Sequence, residues 1–434
     1  MRQTRSKSSI AALVVCAALI VACSGDDGAA SRDTDDGDGG ETTTGAPSCS
    51  GDADGVLTLG GLEPQSGELA PLGPPQAAAA TLAITEINAA GGVLGKPINY
   101  VVGDSGDDQS QTASATVEAH LSAGADAIIG TAPAGAAPSV LEQITDACVI
   151  QFSPRVASMH STGGADNELY FTTAPSDVLL GQAIAELMAE DGNSTAAILA
   201  SQGTYGEGLL DVTSERFEDQ GGEVVVARAY DPDAESFAEE ADAVIAENPD
   251  ALVLIGLDET ARLVNALLER GFTPDANAIY LADANVGNAL GEAVEQPGAL
   301  HGVKGVVRAA EVSDDFRATL LQVDPALVDF VVSAETYDAV VVTALAASVA
   351  GSDDPAAIAA QIDGVTRDGE TCAAFTDCLA LIEGGTDIDY DGQSGPLEFD
   401  DQGEPTVAGF AVLSYAPDRN VIDSAATVFR QVSL

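Results

Sequence analysis

Between residues 56 and 281, short apolar runs alternate with longer segments of helical period, in two successive series. Residues 56–62 read as a strand ending in a Gly-rich turn, 75–90 as a helix closed by Gly91 and Gly92, and 98–102 as a strand. A helix over 109–123, a strand over 127–130, a helix over 137–146 and a strand over 149–152 complete the first series. After a break near Thr172, Thr173 and Ala174 the pattern restarts, with helices over 178–189, 206–219, 236–247 and 260–270 and strands over 196–200, 223–229, 251–255 and 278–281. Continuous apolar strands separated by helices of about ten or more residues belong to parallel sheets covered on both faces. Two such series predict an α/β protein of two lobes, each a parallel sheet flanked by helices. Open α/β sheets hold ligands outside the carboxyl ends of their strands, so the gap between the lobes is the expected site. A length of 434 residues with 46% hydrophobic side chains supplies enough material for two cores.

The N-terminus carries a different pattern. Arg2, Arg5 and Lys7 precede an unbroken apolar run over 10–22, followed by Cys23. A charged start, a short apolar centre and small residues before a cut describe a secretory leader, and the run is shorter than the roughly 20 residues a membrane-spanning helix needs. Ile20-Val21-Ala22-Cys23 resembles the lipobox of bacterial lipoproteins. That resemblance implies a signal peptide over 1–22, acylation of Cys23 and anchoring to the outer face of the cytoplasmic membrane through lipid alone. Residues 24–48 are mostly Gly, Asp, Ser and Thr, which bury too little surface to offset the entropy of ordering. The span 23–51 is expected to be a disordered acidic linker.

Sixty-nine acidic residues stand against 16 basic ones, a net charge of −53. Such a field repels phosphate backbones, which excludes nucleic acid as a partner. The acidity itself reads as a strongly hydrated surface, suited to a secreted protein or a saline habitat. Of six cysteines, Cys16 leaves with the leader and Cys23 is acylated, leaving an even four in an oxidising compartment. Cys372 and Cys378 are expected to close a local loop and Cys49 to pair with Cys148. No CxxC and no neighbouring His favours zinc, and His120, His160 and His301 stand alone. Neither GxSxG nor HExxH is present, and no nucleophile has an evident His partner. The expectation is a protein that is not an enzyme and uses no cofactor.

One spacing points to a metal. Asp387, Asp389 and Asp391, with Gly392 and then Glu398, match the acid positions and turn glycine of an EF-hand calcium loop. Ser394 replaces the usual apolar residue, Pro396 interrupts the exit and no helical pattern follows, so this remains a weak candidate for a calcium-dependent binding module.

Residues 86–98, Glu-Ile-Asn-Ala-Ala-Gly-Gly-Val-Leu-Gly-Lys-Pro-Ile, with Asp104-Ser105 beyond them, resemble the first helix and second strand of the leucine/isoleucine/valine-binding proteins. The resemblance continues through Ala127-Ile128-Ile129-Gly130, Phe152-Ser153-Pro154, 204–209, Tyr337-Asp338-Ala339 and 395–400, in the family's order. It implies the two-lobe fold of type I periplasmic binding proteins, with three interlobe crossovers near Thr173, Val306 and Gly409. One lobe would comprise 52–173 and 306–408, the other 174–305 and 409–434. The implied function is capture of an amino acid or related small polar solute between the lobes, for delivery to an ABC permease and its ATPase. A ligand-sensing receptor of the same fold, without transport, is the alternative. The family's site positions fall on Leu72 as a pocket wall, Ala134, Gly135, Ala157 and Ser158 as the carboxylate-binding segment, Tyr205 as a hydrogen-bonding or stacking phenol, and Asp283 as the acid for a ligand ammonium. Ala134 and Ala157 stand where the family usually has hydroxyl donors, which places carboxylate capture on backbone NH groups at helix N-termini and on Ser158, Thr131 or Arg155.

Overall fold

The computed structural model describes residues 51–434 apart from 52, 68, 108–110, 131–135, 156–167 and 275. Strands β1 (Thr58–Glu63), β2 (Asn99–Asp104), β3 (Ala127–Gly130), β4 (Ile150–Ser153) and β5 (Tyr170–Thr172) form a five-stranded sheet in the order β2-β1-β3-β4-β5. Every neighbouring pair in it is parallel. Helices α1 (Gly73–Ala89), α2 (Thr112–Ser122) and α3 (Ala137–Thr145) connect these strands. Period-two alternation sorts the strand residues between two cores. Leu59, Ile129 and Phe152 pack with Ala79, Ala83 and Ile87 of α1 on one face, while Leu62 and Ile128 pack with Val117, Val140 and Ile144 on the other.

Beyond Thr172 the chain enters a second sheet. Helix α4 (Asp177–Glu190) is capped by Ser176, whose side chain accepts from the Leu179 amide. It is followed by β6 (Thr195–Ser201), α5 (Thr204–Asp219), β7 (Glu223–Tyr230), α6 (Ala238–Glu247), β8 (Ala251–Ile255), α7 (Thr260–Glu269), β9 (Ala278–Ala282), α8 (Asn288–Ala293) and β10 (Lys304–Arg308). The chain then returns to the first layer with α9 (Asp314–Val323), α10 (Ser333–Ala350), α11 (Pro355–Ile362), β11 (Glu370–Cys372), α12 (Phe375–Glu383) and β12 (Ile388–Tyr390), and finishes with β13 (Val407–Ser414) and β14 (Val428–Ser433). The second sheet runs β14-β13-β10-β9-β8-β6-β7. It is parallel from β10 to β7, but β13 joins β10, and β14 joins β13, antiparallel. The parallel sheet expected in each lobe is present, and here it gains two antiparallel edge strands, because β13 reaches it by a return crossing rather than through a crossover helix.

Helix α10 is the central element of the first lobe. Its apolar residues surround it, every residue from Ala339 to Ala347 is buried, and it packs with Leu320 of α9 and with α1, α11 and α12 in one core. A helix apolar all round belongs inside a protein, and Gly351 ends this one in the left-handed conformation at φ 61°. The strand expected over 98–102 extends to Asp104 as the half-exposed edge β2. The three crossings follow Thr172, Arg308 and the turn before Val407, so Val306 lies inside a strand of the second sheet.

Candidate functional site

Between the two sheets lies a cavity of 570 Å³, walled on one side by Leu72, Pro154 and Arg155 and on the other by Asp283 and Arg308. The segment 328–332 and Glu335 of α10 complete the wall beside Phe429. Pro154, Ala174, Asp283 and Ala309 directly follow or lie just beyond β4, β5, β9 and β10. The cavity therefore opens outside the carboxyl ends of strands from both sheets, and its size suits one small molecule.

Arg308 organises the floor. Its guanidinium bonds the carboxylates of Asp283 and Asp177 through separate Nη atoms, and its Nε donates to the Pro175 carbonyl at 2.8 Å. The arginine side chain is 18% exposed, Asp283 19% and Asp177 37%. Asp283 also accepts at Oδ1 from the Tyr205 hydroxyl at 2.6 Å and from the Ala284 amide at 2.9 Å. Burial opposes the Arg308 charge, but Asp283 and Asp177 beside it hold its proton more tightly than usual. Burial raises Asp177 against the pull of Arg308, and burial together with the Asp283 charge pushes the Tyr205 phenol far up, so it stays a donor. On the opposite wall, Arg317 of α9 stacks over Phe330, 4.6 Å from the ring centroid. The Glu335 carboxyl is pushed up to about 7 by burial, against backbone NH donors from its own residue and Ala310. Its carbonyl accepts from Thr173 Oγ1 at 2.9 Å, tying α10 to the first crossing.

Leu72 lines the cavity, as does Asp283. Asp283 is not an empty acceptor awaiting a ligand ammonium, because three donors already occupy it. Tyr205 braces Asp283 by its hydroxyl. Ala134, Gly135, Ala157 and Ser158 lie outside the described residues, as do Cys23 and Cys49. The sequence reading had no place for Arg308, Arg317, Phe330 or Glu335. A usable signal existed, since arginines are scarce in this chain and Arg308 directly ends an apolar strand pattern.

The Asp387–Glu398 spacing takes another form. Residues Ile388–Tyr390 are strand β12, parallel to β11, and the turn beyond it wraps a buried carboxylate. Asp338 of α10 accepts from Tyr390 Oη at 2.7 Å, from the Gln393 and Ser394 amides and from Ser394 Oγ. Among the described residues no three His, Cys, Asp or Glu side chains form a group able to hold a metal ion. Burial, then the charges of Asp391 and Glu398, raise Asp389. Cys372 and Cys378 are joined, with Cα atoms 5.4 Å apart, and Cys148 is disulfide-bonded. No helix among the described residues is long and apolar enough to cross a membrane.

Two α/β layers joined by three chain crossings, with a cavity outside their strand ends, define a two-lobe solute-binding protein of the type I periplasmic class. The chain belongs to the periplasmic binding protein family, whose model matches residues 56–380. It is 25% identical over 383 residues to the chemotactic signal transduction system substrate-binding protein BasB of Halobacterium salinarum, covering 82% of this chain and 86% of the relative. Its fold is shared with a branched-chain amino acid transporter substrate-binding protein of Streptococcus pneumoniae in complex with isoleucine, at TM-score 0.59 and 21% identity, covering 87% of this chain and 99% of that one. It is shared equally with an ABC transporter solute-binding protein of Rhodopseudomonas palustris in complex with 4-hydroxybenzoate, at TM-score 0.60 and 16% identity, covering 87% and 95%.

Proposed function

We propose that this protein is the extracytoplasmic, lipid-anchored solute-binding component of an ABC importer, closing its lobes on an amino acid or related small solute. The supporting observation is the cavity between two sheets joined by three chain crossings, a geometry in which hinge motion opens and shuts a single site. With the lobe division expected at 306 and 409 moved to the observed crossings, lobes of residues 52–173 with 309–406, and 174–308 with 407–434, would move as two bodies, and contacts made only in the closed state would supply the energy of closure. Cys23 acylation would hold the assembly at the membrane, with two or more chains giving a stable anchor. Pairing of Cys49 with Cys148 and of Cys372 with Cys378 fits an oxidising compartment.

A second reading is a receptor that reports ligand to a membrane partner without transport, favoured by the chemotactic role in the name of the Halobacterium relative. Small-angle scattering of the full chain during titration with a solute panel tests the common core of both readings. A saturable fall in radius of gyration is expected, and a panel of amino acids, amides and small carboxylates that changes neither size nor heat would overturn it. Uptake of the identified solute by cells with and without the protein then separates transport from sensing.

A further inference from the structure

Across the whole chain acids outnumber bases 69 to 16, yet among the described residues the cavity wall holds three arginines, Arg155, Arg308 and Arg317, against three acids, Asp283, Asp329 and Glu335. The acids are also largely engaged. Asp283 already accepts from Tyr205 and Ala284 at Oδ1 and from Arg308 at Oδ2. Asp329 is exposed and turns Oδ1 back onto the Phe330 and Val331 amides of its own loop. Glu335 is held by backbone NH groups, and its raised proton affinity leaves it close to half neutral at pH 7. An ammonium at Asp283 would compete with three donors already in place, one of them the Arg308 guanidinium, and displacing Arg308 would leave a buried guanidinium short of a partner.

Arg317 is in the opposite condition. Among the described residues its guanidinium makes no hydrogen bond or ion pair, only the cation–π contact with the Phe330 ring. A planar, always-charged fork beside an aromatic ring matches a carboxylate in geometry as well as in charge. The rest of the wall includes Leu72, Val312, Val332 and Phe429, which suit an apolar ligand body.

Resting on the solute-binding reading above, we infer that this cleft selects small carboxylic acids with an apolar or aromatic body and no α-ammonium, the carboxylate seated on Arg317 and the Asp283–Arg308 pair left intact. The difference from an amino-acid site lies in one internal ion pair, which has already taken the acid an ammonium would need.

Calorimetry on the full chain with matched pairs tests this directly. Leucine is compared with 4-methylpentanoate and phenylalanine with 3-phenylpropanoate, each pair differing only by the ammonium. The deaminated member is expected to bind about tenfold or more tightly in at least one pair. Arg317→Gln should weaken that binding by about tenfold, with Arg317→Lys retaining part of it, and the exposed position of Arg317 on α9 should leave the unfolding midpoint unchanged. Amino acids binding as tightly as their deaminated partners, or Arg317→Gln binding the acid like the parent, would overturn the inference while the solute-binding reading stands. Heat and closure absent for every member of both pairs would overturn the inference, and the same silence across the wider panel would overturn the reading beneath it.

Discussion

Arg308 decides the electrostatics of the cleft floor, because its one guanidinium pairs with both the Asp177 and the Asp283 carboxylates at the end of β10. Arg308→Met would leave Asp177 and Asp283 unpaired at a partly buried position. Breaking a fully buried pair costs about 3–5 kcal/mol, and the 37% exposure of Asp177 reduces this to about 1–3 kcal/mol. Urea unfolding at neutral pH should show the loss, and adding Asp283→Asn to Arg308→Met should recover part of it, since the two changes share one interaction. A second residue carries a pH signature. Burial pushes the Asp126 carboxyl up to about 7, against its bond from the Thr58 amide, with Asp353, Asp54 and Asp354 adding to the rise. The folded chain keeps this proton to about 7 while the unfolded chain releases it near the ordinary value of about 4, so the stabilisation is complete below the lower value and lost as pH rises through the upper one. Asp126→Asn keeps an acceptor for Thr58. Its melting temperature should therefore fall less than the parent's between about pH 5 and 8, and equal slopes would remove the assignment.

At the scale of elements, the turn after β12 shows why a spacing can mislead. Gly392 lies so close to Asp338 that a Cβ there would overlap the carboxylate. Gly392→Ala should cost about 2 kcal/mol by forcing the turn off its buried acceptor, as overpacking in a tight contact does, and chemical denaturation reads this directly. The acids at 387, 389, 391 and 398 obey an ion-binding spacing in sequence, but the partner that shapes the segment is Asp338 on α10, some fifty residues earlier. Nothing local records that contact. The alternation that defines both sheets was legible because each strand buries successive residues in opposite cores, as Ala197 and Ile198 of β6 do. The direction of β13 and β14 was not, since an apolar strand reads alike in either orientation. Helix α10, apolar all round, announces burial but no preferred face. Asp283 was legible by its place after β9. Arg308 became its partner only through the parallel register of β9 and β10, which pairs Ala282 with Val306 and brings both side chains to the same sheet edge. Register is a long-range outcome of packing and left no mark in either local segment.

For the whole molecule the dominant quantity is a net charge of −53. Like charges at this density favour any state that separates them, so the folded chain works against self-repulsion that the unfolded chain partly relieves. Surface ion pairs such as Arg228–Glu239 and Arg270–Asp242 offset little of this, because their acids are largely exposed and such pairs contribute about 0–1 kcal/mol each. Mobile ions can do what fixed cations do not. The screening length shrinks from about 10 Å at 0.1 M to about 3 Å at 1 M, shorter than most spacings between surface carboxylates. The melting temperature should therefore rise steeply as KCl increases from about 0.1 to about 2 M, and most of the rise should come before about 1 M, where screening is nearly complete. An excluded osmolyte such as sucrose at matched water activity strengthens burial without screening charge, so it should reproduce only a minor part of the rise. Equal stabilisation by both additives would assign the effect to hydration of the cores, and a flat response to salt would mean that the surface carboxylates are spaced widely enough to leave the fold unstrained.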